Sequence, residues 1–239
     1  MILGRGLRLP GFFFSLSCRW RRDRRCRAAG GAHVGGKIMH ISEGVLSPAV
    51  LGGGAALAAL GTAVGLAKMD YEVIPRVAIL SSAFFVATLI HVPVGPVGLH
   101  LVLNGLMGLL LGWAAVPAIL IALLLQAILF QFGGLTVLGV NTVIMALPAV
   151  ICSYLCRPLL RRPGLVSSVG AFACGFTAIG FSALLVAAAL ISTGQAFLQA
   201  AQLAVLAHVP VMFIEGLVTL FIFHFLKKVR PEMLEDWNA

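Results

Sequence analysis

From residue 48 onward the chain is a series of long apolar runs divided by short polar breaks. Seven runs can be marked, at about 48–67, 73–90, 97–114, 117–131, 141–156, 168–191 and 203–226. None shows the strict apolar–polar alternation of a membrane-barrel strand. In lipid every backbone polar group must be bonded internally, so continuous runs of this kind predict helices. A span needs roughly 17–25 residues. The fourth and fifth runs are short on that scale, so one or both are expected to be tilted or broken, and Pro148 predicts a kink in the fifth. Composition agrees with the pattern: 60% of the 239 residues are hydrophobic and only 10% are charged, against about 25% charged in soluble domains. The expected fold is all-α, a polytopic bundle of about seven transmembrane helices.

Charge divides the chain into two parts. Residues 1–38 carry eight arginines and Lys37 against one acid, Asp23. Residues 39–239 carry eight basic and seven acidic residues. The basic excess therefore belongs to the leader and gives no reason to expect a nucleic-acid partner. Beyond the leader, Lys and Arg lie in the breaks at 68–76 and 157–167 and in the C-terminal tail. With seven spans these three segments share one side, which the positive-inside rule makes cytoplasmic. The N-terminal side of the first span is then outside the cell membrane and the C-terminus inside. An arginine-rich leader on the outside conflicts with the same rule. Residues 1–38 are therefore expected not to belong to the working protein, which starts at Met39 and forms one membrane domain, 39–239. A large second residue, His40, disfavours removal of the initiator Met and keeps its amine free.

The candidate chemistry collects at the outer end. His40 and Glu43 precede the first span, His91 ends the second, and His100 and Asn104 open the third. The glycine-containing break 131–140 returns to the same side and leads to Asn141. His208 is read as a helix-end hydrogen bonder, and His224 lies at the inner end. Glu215, an acid inside an apolar run, is a buried charge relay or half of a polar pair; acids in spans are costly and mark function. Cys152 and Cys156 lie one helical turn apart and read as small buried residues. If Met39 is the first residue, its amine, the amide nitrogen of His40 and the His40 imidazole close two fused chelate rings. A histidine from another span completes a nitrogen-rich set suited to Ni(II), Cu(II) or Co(II) rather than to Mg²⁺ or Ca²⁺. His100 is the favoured fourth donor, with His91 as the alternative or as an outer partner. Glu43, Asn104 and Asn141 are further candidates for the surrounding shell. No Walker A sequence is present, so ATP hydrolysis would fall to another chain.

The stretch Met39-His40-Ile41-Ser42-Glu43-Gly44-Val45-Leu46 resembles the start of the cobalt/nickel substrate-binding membrane components of energy-coupling factor transporters, the CbiM/NikM type. The glycine stretch Phe132–Asn141 and the region around His100 resemble further parts of that family, over about 39–232 in all. The resemblance implies a metal held by Met39, His40 and His100, with no catalytic residue and no cofactor. It implies a transmembrane coupling protein, two cytoplasmic ABC ATPases and a small auxiliary membrane subunit as partners. It implies import of cobalt more than nickel into the cell across the inner membrane, feeding cobalamin biosynthesis. Two features depart from the family: the leader would convert the Met39 amine to an amide, and Val94-Gly-Pro-Val-Gly-Leu-His100 replaces a Gly-Gly-Thr-Ser-Gly-His pattern, which keeps His91 in contention. The alternative function is a stand-alone secondary carrier or channel for a divalent metal.

Overall fold

The computed structural model describes residues 41, 43–89, 91–94 and 97–235. Its helices are α1 (Pro48–Ala67), α2 (Ile74–Leu89), α3 (Asn104–Leu111), α4 (Ala115–Phe130), α5 (Leu138–Leu160), α6 (Leu165–Thr193), α7 (Leu198–Val229) and the short α8 (Glu232–Glu235). Among the described residues six segments are long and apolar enough to cross a membrane, one of them Asn104–Phe130, which contains both α3 and α4. Between α2 and α3 lies one antiparallel hairpin, β1 (His91–Val94) paired with β2 (Val97–His100).

The third predicted span, 97–114, is thus corrected. It is half hairpin and half helix. Pro93 and Pro96 disfavour helical backbone at the residues before them, and Val92, Val94 and Val97 favour extended chain. Pairing within the hairpin bonds the inward-facing backbone groups of its two strands to one another. The chain then enters α3 through Leu103, whose φ of 53° is left-handed.

Contacts fix the direction of each limb. Asn104 lies beside Met145 and Gly108 beside Ala149, so α3 and α5 run in parallel. Ser81 donates to the Ala118 carbonyl at 2.8 Å and Gln126 meets Thr88, so α2 and α4 also run in parallel. Gly61 faces Val116 while Gly65 faces Trp113, so α4 runs against α1. The chain therefore reverses at Gly112, whose φ is 56°. The hairpin and α3 together make one descending limb, and α4 ascends.

Close packing depends on small residues, as is common between membrane helices. A Cβ on Gly105 would stand 2.8 Å from the Gly175 Cα on α6, and one on Gly108 would collide with the Ala149 carbonyl on α5. α5 runs helically through Pro148. Pro148 cannot donate to Ile144, and the Ile144 carbonyl accepts the Ser182 hydroxyl at 2.9 Å instead. That substitution keeps the freed carbonyl satisfied. α6 and α7 are antiparallel along their length, with Ser168 Oγ 2.8 Å from His224 Nε2 at one end and Phe176 against Phe213 midway.

Gly108→Ala is expected to destabilise the bundle by about 1–3 kcal/mol through overpacking. Gly52→Ala, where nothing stands within 4 Å of the added carbon, is the control. Thermal unfolding of both variants in detergent tests this; equal midpoints would refute the α3–α5 contact.

Candidate metal-binding end of the bundle

The end of the bundle that holds Ile41 is built from the starts of α1 and α5 and the loop between α4 and α5. Ile41 is buried against Val137, Val140 and Ile144. Its backbone is gripped at two points by one side chain. Ile41 N–H donates to Asn141 Oδ1 at 3.3 Å, and Asn141 Nδ2 donates to the Ile41 carbonyl at 3.3 Å. An amide side chain is one of the few that can answer both groups at once. Two residues on, Glu43 Oε1 accepts the Thr136 N–H at 3.1 Å. Glu43 is fully exposed, and the Thr136 amide holds its carboxyl below the usual glutamate range. Gly134 stands beneath it with φ of 120°, where any Cβ would strike the Glu43 side chain. Ser47 N–H donates to Thr193 Oγ1 at 3.4 Å, tying the entry of α1 to the end of α6.

The hairpin belongs to the same end. α2 rises beside α4, and α4 leads into the loop that bonds Glu43. His91 and His100 are the register partners that close the base of the hairpin. Past His100, the loop into α3 is held by Glu215 of α7. Glu215 is fully buried and accepts the Val102 N–H and the Leu103 N–H, the latter at 2.8 and 3.0 Å from its two oxygens. The next residue, Asn104, is fully buried, and its Nδ2 donates to Ser182 Oγ at 2.8 Å. Its Oδ1 has no hydrogen-bond partner among the described residues.

Met39 and His40 lie outside the described residues. Among the described residues no three His, Cys, Asp or Glu side chains converge. Of the residues expected near the site, Asn141 and Glu43 are joined to the segment that follows His40, and His91 is paired in register with His100. Asn104 is the first residue of α3 and bonds Ser182. Ser182 and Thr136 carried no mark in the sequence. Glu215 was visible as an isolated acid, but its partners are backbone amides, which leave no signature. His208 is not at a helix end: it is buried within α7, with Nδ1 2.6 Å from the Ala204 carbonyl one turn back.

Residues 40–233 match the family described as the cobalt uptake substrate-specific transmembrane region, CbiM. The chain belongs to the CbiM family. A Haemophilus influenzae relative described as a metal transport protein is 44% identical over 201 residues, 82% of this chain and 97% of the relative. A cobalt transport protein CbiM of Sorangium cellulosum is 30% identical over 213 residues, 82% and 95% of the two chains. The fold matches the crystal structure of a transition metal transporter with a TM-score of 0.62, 24% identity, and coverage of 80% of this chain and 93% of that one. This CbiM-family chain is therefore a multi-pass membrane protein and a metal-transport component rather than an enzyme.

The Glu43 contact has a defined pH dependence. Its folded pKa lies below the ordinary value of 4.5. The stabilisation is therefore complete above that value and is lost as pH falls through the folded pKa. The difference in unfolding temperature between wild type and Glu43→Gln should be constant at neutral pH and shrink in acid. A difference that does not change with pH would refute the contact.

Proposed function

We propose that this chain captures a divalent transition metal, Co(II) in preference to Ni(II), at the end of the bundle that holds Ile41. The ion is held by the amine of Met39, the amide nitrogen and imidazole of His40, and the imidazole of His100. The observation that carries this reading is the Asn141 clamp on Ile41: it anchors the backbone one residue after His40, at the end that also bears the hairpin. Three of the four donors come from two consecutive residues, so their chelate rings are defined by covalent geometry. The fold has only to bring the fourth. His91, Glu43, Asn104 and Asn141 surround and orient these donors. Deprotonating an amide requires a strongly polarising ion, which excludes hard cations, and binding releases protons.

The wider system follows from the same reading. The working chain begins at Met39, with residues 1–38 outside it. The metal-binding end faces outward and the Lys- and Arg-bearing breaks face the cytoplasm. Movement of the ion is driven by separate ABC ATPases through a transmembrane coupling protein, as in energy-coupling factor transporters, and the imported metal feeds cobalamin biosynthesis. The name of a Rhodobacter capsulatus relative, 39% identical over 114 residues, is a fused nickel transport protein, NikMN. Such a fusion supports a multi-component assembly.

Cobalt and nickel binding to detergent-purified protein, measured by calorimetry, tests the site. His40→Ala should abolish binding. Asn141→Ala should weaken it about 10–100-fold, the usual cost of losing an outer-shell partner. One extra residue before Met39 should be as damaging as His40→Ala, because the amine becomes an amide. Tight binding by the extended chain would overturn the donor set. If uptake into vesicles by this chain alone is insensitive to ATP, the stand-alone carrier replaces the multi-component reading.

A further inference from the structure

The opposite end of the bundle contains a cavity of about 400 Å³ between the α1–α2 connection, the Gly112 turn and the end of α5. Lys68, Arg76, Arg157, Asp70 and Glu72 all line it, and Arg76 donates to the Met233 carbonyl at 2.6 Å. Charges of both signs face one small space, yet among the described residues no ion pair joins Lys68 or Arg157 to Asp70 or Glu72. Lys68 and Arg157 are placed by aromatic rings instead. Lys68 Nζ lies 5.4 Å from the centre of the Trp113 ring, and the Arg157 guanidinium lies 4.2 Å from that of Tyr154. Arg157 Nε is buried with no acceptor. A buried donor without an acceptor is costly, so it signals a missing partner.

Trp113 also borders a second feature. An apolar groove of about 240 Å³ runs between α1 and α5, past Val64, Gly61 and Leu57 on one wall and Val150 and Ala146 on the other. From Val64 to Leu57 it extends about 10 Å along the helix axis. Leu57 is 57% exposed on the surface that meets lipid. A charged cavity thus continues, across one tryptophan, into a hydrocarbon-lined trough. That sequence of environments fits one kind of molecule, an amphiphile with a charged head and an apolar chain.

We propose that the cavity and groove together bind one zwitterionic aminophospholipid. The phosphate accepts from Arg157 and Lys68, the ammonium meets Asp70 and Glu72, and an acyl chain fills the groove. Basic pockets between membrane helices are known to hold phospholipid heads. The two carboxylates are what separates an amine-bearing head from a purely anionic one. The inference is independent of the metal site, which lies at the other end.

The test uses the full chain in detergent, titrated with dioleoyl phosphatidylethanolamine, dioleoyl phosphatidylglycerol and soluble phosphoethanolamine, with binding read by native mass spectrometry. One phosphatidylethanolamine should be retained per chain in preference to phosphatidylglycerol. Arg157→Gln and Lys68→Gln should each weaken it by about tenfold, the scale of a charge-assisted bond. Asp70→Asn combined with Glu72→Gln should remove the preference for the amine while sparing phosphatidylglycerol. Unfolding midpoints in lipid-free detergent establish that each variant is folded. Equal binding of both lipids by wild type, or indifference to both cation variants, would overturn the proposal. Phosphoethanolamine alone binding as tightly as the lipid would remove the groove from the site. A cavity that becomes protected from lysine and arginine labelling only when partner proteins are added would assign it to protein docking instead.

Discussion

The carboxylate of Glu215 bonds the two amides that would otherwise stand unanswered inside the apolar layer. The third limb of this bundle is not a through-going helix, so its backbone groups cannot all bond within one segment. The hairpin pairs its own strands, and α3 pairs its own turns. The loop between them leaves the N–H groups of Val102 and Leu103, and these are the groups Glu215 accepts. Orphaned amides in hydrocarbon cost several kcal/mol each, and a buried carboxylate without partners costs more. Each therefore cancels the other's penalty. The carboxylate also sits at the start of α3, where the helix dipole favours negative charge. Glu215 fastens α7 to the loop between the hairpin and α3.

With the limb fastened at its midpoint, α3 has to be short, and its eight residues are almost all buried. It fits only because glycines open its surface toward α5 and α6. Gly105 meets Gly175 and Gly108 meets Ala149 at distances that exclude a side chain. The same region absorbs the irregularity of α5. The Ser182 hydroxyl donates to the carbonyl that Pro148 leaves free and accepts from Asn104. One serine therefore compensates a proline on one helix and orders a polar side chain on another. The expected kink at Pro148 does not interrupt the helix because its lost hydrogen bond has been replaced from outside.

Much of this was legible in the sequence, and the limits have physical causes. Six of the seven apolar runs are helices near their expected bounds, because hydropathy reports partition into lipid. The run at 97–114 failed because partition does not report conformation. Val97, Leu99 and Leu101 are as apolar in a strand as in a helix. The contrary signal was local, in Pro93 and Pro96, and length outweighed it. Asn141 and Glu43 could be picked out as polar residues beside a distinctive start motif. Ser182 could not, since a serine within an apolar helix looks the same whether it bonds its own turn, as Ser192 does with Ala189, or a neighbour's.

The supports at the proposed metal-binding end come from α5, the loop before it, and α7. Ile41 hangs from Asn141 of α5, and Glu43 from the loop that precedes α5. The loop that follows the hairpin hangs from Glu215 of α7, and α3 beyond it packs on α5. In the proposed site the chelating residues and the histidine of the hairpin are therefore both referred to α5, the first directly through Asn141 and the second through α3, while α6 is bonded to α5 and α7 alike.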